Sequence, residues 1–323
     1  MPTNLIARGS ASNLLVKEQA NFDTAATGNF VSTLFYSESL APGETPEEDP
    51  IIGLDRVNDR DQTERADGLY TLEGGLVVPM DINHFGVWLT GLFDYPSTTG
   101  SEAPYEHEFL SGAAQLPYLT LEFEKRKNAA FFQYLGMVLS GFSFSMSREA
   151  GFKQVELSLM GRNEVKLGSS GGGTPATQMA RAAIPNRISN VKIDGAAAGS
   201  IVSASFAYDN GLTEDASINN SKFVNGYDLD GVATCTGELQ ARYTDETYFD
   251  MVEAGAFHSL ELIFERSASE SISFYMPAVK FEKGPIAPIA ASERHAVDGQ
   301  LVRETDRHRA DGQGHADQRD RGI

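Results

Sequence analysis

"DINHFGVWLTGLF" spans Asp81 to Phe93, and "DETYFDMVEAGAF" spans Asp245 to Phe257. The two align without a gap, with Asp81 on Asp245, Phe85 on Phe249, Gly91 on Gly255 and Phe93 on Phe257. The likeness extends outward. Upstream, "GLYTLEGGL" (Gly68 to Leu76) keeps Gly68/Gly231, Thr71/Thr234, Gly74/Gly237 and Leu76/Leu239 against "GVATCTGEL". Downstream, "LTLEFEKR" (Leu119 to Arg126) meets "LELIFERS" (Leu260 to Ser267), and the same register carries Tyr134 onto Tyr275 and Val138 onto Val279. Earlier, "VSTLF" (Val31 to Phe35) matches "VSASF" (Val202 to Phe206). Blocks recurring in one order describe an internal duplication of a whole domain, with a period too long for a solenoid.

A chain of 323 residues suits two domains, each able to bury its own core. No window approaches the roughly 18 consecutive apolar residues of a membrane helix, and "MPTNLIARGSASNLL" lacks the apolar centre of a secretory signal. These features lead us to expect a cytoplasmic product. Cys235 is the only cysteine, which excludes an internal disulfide and a cysteine-caged zinc; within a Thr-rich strand it reads as a small buried hydrophobe. The net charge of −19 argues against gripping nucleic acid, since that grip comes from Lys and Arg neutralising phosphates. It is compatible with letting nucleic acid pass without sticking.

Most segments alternate. In "FSFSMS" Phe142, Phe144 and Met146 point one way and the serines the other, and in "VELSL" Val155, Leu157 and Leu159 do likewise. "IVSASFAY" (Ile201 to Tyr208) and "LELIFE" (Leu260 to Glu265) repeat the pattern, as expected of half-buried antiparallel strands. The opening stretches differ. Asp81 can cap a helix whose Phe85, Trp88, Leu89 and Leu92 recur at helical spacing with Gly91 near its end, and Thr244 or Asp245 can do the same for Phe249, Val252 and Ala256. Each half is therefore expected to be mainly β with one short helix on a sheet. The expected domains are 1–167 and 187–290, joined by a Gly/Ser/Thr-rich flexible linker over 168–186 and followed by an anomalous polar tail over 291–323.

Two long connections stand out, Ser37 to Asp67 and about Tyr208 to Asp230. Compact domains seldom carry structureless loops beyond about 15 residues unless these act as arms or tethers. Their recurrence in both copies favours arms that reach a neighbouring subunit over a merely disordered acidic surface.

The tail departs from the duplication. Continuing the register sets Ala150 and Gly151 on Ala291 and Ser292, so a strand equivalent to "FKQVELSLMGR" (Phe152 to Arg162) should follow, yet "SERHAVDGQLVRE" lacks that pattern. With permitted codons, a one-nucleotide shift turns this segment into "SGMLSTVSLSGR" and the closing "GHADQRDRGI" into "ATLTNETAGY". The tail thus reads as an out-of-frame translation or, more plainly, as a disordered end. In the first case His295, His308 and His315 form no metal site.

Catalytic patterns are missing. His84 lies on the first helix, His107 in "YEHEF" and His258 at a strand start, and no nucleophile motif accompanies them. "DLDG" (Asp228 to Gly231) reads as a turn because it is too short to give calcium six or more oxygens. Carboxylates are too abundant to single out a glycosidase pair. Neither enzymatic activity nor a cofactor is expected.

The chain resembles the tail tube proteins of long-tailed bacteriophages. The resemblance rests on the strand-like start before a long loop, on "YLGMVLSGFSFSMSREAGFKQVELSLMGR" (Tyr134 to Arg162) and on "FYMPAVKFEKG" (Phe274 to Gly284), and it covers the chain to about Gly284. It implies a β-sandwich or split barrel with a flanking helix, here in two tandem copies, whose subunits join sheets edge to edge into rings that stack as a tube. Two copies per chain would close a pseudo-sixfold ring with about three chains. The implied partners are further copies of the chain, a tape-measure protein, and tail terminator and distal tail proteins. DNA passes through an acidic lumen without specific binding, and no membrane is involved. Such a protein is assembled in the host bacterial cytoplasm and resides in the virion tail. The long connections would mediate contacts between rings and subunits, through Glu44, Glu47, Glu48, Asp49, Asp55, Asp59 and Asp61 in the first and Glu214 and Asp215 in the second. Alternative readings are a β-sandwich module of the virion that binds carbohydrate or a receptor, and a ring-forming connector or terminator of the head–tail junction.

Overall fold

Alternation in sequence becomes half-buried strand. Over 154–160, Val155, Leu157 and Leu159 are buried while Gln154, Glu156 and Ser158 face water; over 201–209, Ala204, Phe206 and Tyr208 are buried. The computed structural model describes residues 12–49, 64–126, 130–173, 179–242, 245–286, 296–302 and 313–318.

The first half begins with β1 (Asn13–Gln19), β2 (Val31–Thr33), β3 (Ser37–Glu38), β4 (Ala41–Glu44), β5 (Glu47–Glu48) and β6 (Arg65–Ala66). There follow β7 (Tyr70–Pro79), α1 (Phe85–Phe93), β8 (Ser97–Thr99) and β9 (Tyr105–Phe109). It closes with β10 (Tyr118–Arg126), β11 (Ala130–Ser147), β12 (Gln154–Met160) and β13 (Asn163–Leu167). The second half contains β14 (Asn190–Ile193), β15 (Ala196–Ala197), β16 (Ile201–Asp209), β17 (Thr213–Glu214), β18 (Tyr227–Asp228) and β19 (Thr234–Arg242). Then come α2 (Thr247–Ala254), β20 (Phe257–Ser267), β21 (Glu270–Ile286), β22 (Ala296–Val302) and β23 (Gln313–Gln318).

β11 is 18 residues long and serves two layers. Its first part pairs with β10 and β13, and β10 leads on to β1 and β2. Its second part pairs with β12, which leads to β7 and then to β3 and β4. Gly136 stands where the strand passes between layers, with φ of 64°; a Cβ there would lie 2.6 Å from the Phe22 ring, so only glycine fits without strain. Leu14, Leu121 and Phe123 of one layer and Leu76, Phe142 and Leu157 of the other share one buried cluster with Phe85, Trp88, Leu89 and Leu92 of α1. β21 is divided likewise. Its first part pairs with β20, which reaches β14, and its end pairs with β22, which reaches β19. β23 bridges β21 and the β9 strand of the first half.

The two halves meet strand to strand. β11 and β16 pair antiparallel from Gly141↔Asp209 to Ser147↔Ser203, and β16 pairs with β19. One sheet therefore runs β7–β12–β11–β16–β19–β22–β21. Rings lock the junction, with Phe144 5.1 Å from Phe206 and 5.0 Å from Phe274 between centroids. At its end the buried Asn210 amide donates to the carbonyls of Leu92 and Leu139 at 3.1 and 3.2 Å.

The structure revises several local expectations. Asp81 does not sit at the helix cap itself. Its Oδ1 accepts the N–H groups of Asn83 and His84, its Oδ2 accepts that of Ala182 at 2.7 Å, and α1 starts at Phe85. Gly91 is a packing residue, since a Cβ there would meet Leu139 at 2.8 Å, whereas its counterpart Gly255 ends α2 with φ of 59°. Asp245 accepts the Thr247 N–H at 3.0 Å but likewise lies one residue before the cap, Glu246, whose side chain makes no capping bond. α2 buries none of its residues fully, and Tyr248, Met251 and Val252 rest partly buried on the core. Both described flanks of the supposed flexible linker are anchored. The Ser170 hydroxyl and Gly171 N–H donate to the buried Glu122 carboxylate, and Ile184 exchanges backbone bonds with Met80 and Lys153. A buried carboxylate requires such donors, which draws the glycines onto it. The stretch read as an out-of-frame or disordered tail nonetheless supplies a strand after β21. β22 pairs Gly299 with both Leu239 and Lys283, because a ladder needs only backbone N–H and C=O groups.

Candidate functional site

The face of the continuous sheet turned away from the core is concave and carries a row of polar side chains. Strand alternation that buries Leu157, Phe144, Phe206 and Leu239 must present their neighbours to solvent. Ser143 and Ser145 of β11, Gln154 and Glu156 of β12, Ser205 of β16, and Thr236 and Glu238 of β19 line an open concavity of about 580 Å³. Glu156 stands opposite Val77 and Ser143, and Glu238 stands opposite Ser205, whose hydroxyl accepts the Glu238 N–H at 3.1 Å. Beside Val77, Phe144, Phe206 and Ala207, the polar groups of the lining are carboxylates, hydroxyls and the Gln154 amide, with no Lys, Arg, His or Cys. Serines without a neighbouring base are inert as nucleophiles, so this surface can repel anions and hydrate well but has no chemistry to perform.

Five adjacent strands end together at two rims. Tyr70, Met160, Val138, Asp209 and Thr234 mark one; Pro79, Gln154, Ser147, Ser203 and Ala241 lie toward the other. Both long connections leave from the first rim, and each is built as a hairpin. In the first, Glu47 and Glu48 of β5 pair with Ala66 and Arg65, and the Asp49 N–H donates to the Glu64 carbonyl at 3.2 Å. In the second, Glu214 pairs with Tyr227, and the Asp215 carboxylate accepts the Ser217 hydroxyl and N–H, which holds its pKa below the usual carboxylate value. Asp55, Asp59 and Asp61 lie outside the described residues.

The hairpins also touch one another. Glu44 forms an ion pair with Lys222 at 2.6 Å, the Tyr70 N–H donates to the Lys222 carbonyl at 2.9 Å, and Phe223 packs on Tyr70 with Arg162 4.8 Å above its ring. The structure thus brings Glu44 onto the second connection and leaves Glu47, Glu48 and Asp49 on the first. Sequence reading missed Lys153, which is 4% exposed, donates from Nζ to the Ser145 carbonyl and approaches the Phe264 ring. Burial draws its pKa below the ordinary lysine value, with Glu149 acting against that. The signal was available, because Lys153 shares the inward parity of Val155 and Leu157.

The histidines do not converge. His84 is buried with Nε2 3.1 Å from the Met179 carbonyl, His107 meets the Thr98 hydroxyl, and His258 lies 2.7 Å from Asp194, whose carboxyl it holds low. Among the described residues no group of His, Cys, Asp and Glu could hold a metal, and no helix is long and apolar enough to cross a membrane. Asp228 of "DLDG" ends the β17–β18 hairpin, Cys235 is buried against Met276, and Trp88, at 1% exposure, offers no binding platform.

Among the described residues the chain is largely β, with hairpin arms on one rim and no converging nucleophile, base or metal ligands, which fits a structural protein built to meet other proteins. Its sequence matches the family model described as phage tail tube protein over residues 9–299, and the chain belongs to that family. As a tail tube protein it is a structural component and not a catalyst. No curated protein matches the sequence.

Proposed function

We propose that the chain is the major tail tube subunit, a duplicated protein that polymerises into stacked rings whose concave faces line the DNA channel. The β11–β16 junction carries this reading. It continues one half's sheet into the other's edge to edge, which is the contact a ring of such domains repeats. The duplication is supported by a register coincidence. Leu157 pairs with both Leu76 and Phe142, Gly299 pairs with both Leu239 and Lys283, and the aligned blocks set Leu76 on Leu239 and Phe142 on Lys283. The same alignment places Val31–Phe35 on Val202–Phe206, so the first half's counterpart of β16 lies at the β2–β3 edge, ready for the β21 end of another chain. Three chains would then complete a pseudo-sixfold ring with no unpaired edge.

Glu73, Glu156 and Glu238 belong to the outward face, and in a closed ring they would repel phosphates and prevent the multi-site adhesion that stalls DNA. During assembly the channel would hold a tape-measure protein, with terminator and distal tail proteins at the ends, the whole forming in the host cytoplasm and residing in the virion tail. Electron microscopy of the concentrated protein tests the reading. Rings of threefold or pseudo-sixfold symmetry with a central hole are expected, and a protein that stays monomeric at every concentration would refute it.

A further inference from the structure

The segment that joins the halves straps the first of them. Between Met179 and Asn186 it crosses the ends of β7 and β12, where the Ile184 N–H donates to the Met80 carbonyl at 3.0 Å and the Ile184 carbonyl accepts the Lys153 N–H at 2.8 Å. At the start of α1 the Ala182 carbonyl takes the Ile82 N–H at 3.1 Å, and the Asn83 amide donates to the Ala180 carbonyl at 2.7 Å. Ala182 and Ile184 enter the core cluster. The strap therefore leads into β14 of the second half while lying on the half before it.

The matching site on the second half is open among the described residues. The blocks that set Asp81 on Asp245 also set His84 on Tyr248 and Trp88 on Val252. Asp81, His84 and Trp88 are buried, whereas Asp245 is exposed and Tyr248 and Val252 are half-buried. With valine in place of the indole, α2 stands over an apolar slot of about 30 Å³ between Tyr248, Met251 and Val252 and the sheet residues Leu239 and Phe281. β9 shields α1 as well, and α2, which runs directly into β20, has no such strand after it.

The occupant follows from β1. It pairs with β10 as β14 pairs with β20, with Val16 opposite Leu121 and Val191 opposite Leu262, and the aligned blocks set Leu121 on Leu262. The strap stands five to twelve residues before Val191, and the same count back from Val16 reaches Asn4 to Ala11, "NLIARGSA". These residues lie outside the described ones. Leu5, Ile6 and Ala7 make an apolar stretch, as Ala182, Ala183 and Ile184 do in the strap, and Arg8 suits a helix whose Glu246, Asp250 and Glu253 are exposed, with Arg242 and Lys280 as the nearby cations.

We infer that residues 4–11 of one chain strap the second half of its neighbour in the ring, seating Leu5 or Ile6 in the slot under α2. This rests on the proposed ring and names a second element, beside the sheet edge, that ties one chain to the next. The contact repeats between chains what the strap does within one, and each chain gives one segment and receives one.

Variants of the full chain test it by thermal melts of dilute protein, sedimentation and electron microscopy. Leu5→Asp with Ile6→Asp should leave the melting temperature of the single chain unchanged and raise the concentration needed for rings at least tenfold. Ile184→Asp, which strikes the strap inside the chain, should lower that melting temperature. Ile6→Cys with Met251→Cys should yield disulfide-linked pairs and triplets of chains from oxidised rings and only single chains from dilute protein. Wild-type rings with an unchanged threshold in the double aspartate variant, or a disulfide closed within one chain, would overturn the inference and leave the tube reading standing. Wild-type protein that forms no rings would overturn the tube reading and this inference with it.

Discussion

Phe206 and Phe35 occupy matching places in the two halves but different surroundings, so truncating each should have different consequences. Phe206 is 5% exposed, with ring centroids 5.4 Å from Phe142, 5.1 Å from Phe144 and 5.7 Å from Phe274. Phe206→Ala removes about 2–3 kcal/mol of transfer free energy, leaves a cavity and forfeits ring contacts worth about 0.5–1.5 kcal/mol each, giving a loss of about 4 kcal/mol. Phe35 is only half-buried in the single chain, with Phe123 at 5.5 Å as its ring contact. Phe35→Ala should therefore cost about 1–2 kcal/mol in the unassembled chain. Urea unfolding followed by circular dichroism measures both costs, and analytical ultracentrifugation measures ring formation. Phe206→Ala should lower the midpoint with the two halves still unfolding together, because they share one sheet and one core cluster. Phe35→Ala should unfold near the wild-type midpoint yet impair ring closure, since in the proposed ring its edge would meet a neighbour. Equal losses of stability in the free chain, or a Phe35→Ala protein that closes rings normally, would refute this reasoning.

Three further outcomes follow from the geometry. Glu156→Lys with Glu238→Lys changes only the concave face, so tubes should assemble unchanged while phage carrying the variant deliver DNA more slowly; undiminished infectivity would count against repulsion by the lumen. Lys153 has a pKa below that of an exposed lysine, so between the two values the unfolded chain binds more protons and stability rises with pH toward about 10.5. Lys153→Met should remove that alkaline slope and raise neutral-pH stability by about 1 kcal/mol, as read from thermal melts across pH; an unchanged slope would show that the lysine is not the source. The shifted-frame tail "SGMLSTVSLSGR" puts a valine at the register position of Gly299, the position Leu157 holds in the first half, and should raise the melting temperature by a few degrees. Resequencing that finds the frame intact, or calorimetry that shows no gain, would dispose of the frameshift.

Strand identity was legible wherever one face alone is buried, as in 154–160 and 201–209, because a period of two is a local property of the chain. The acidity and the lack of catalytic pattern pointed to structure instead of chemistry, and the matched blocks carry the proposal of a duplicated chain. What depends on distant partners was not legible. Asp81 looked like a simple helix cap, but one of its oxygens takes the Ala182 N–H across 101 residues, and the stretch read as a flexible linker folds onto the buried Glu122. Gly299 lies in a stretch without apolar alternation, yet its backbone fills a gap between β19 and β21 that exists only once both strands are in place. The choice of which carboxylates line the concave face came from strand order and direction. Periodicity says which side of a strand is dry, and only the folded sheet decides what lies opposite the wet one.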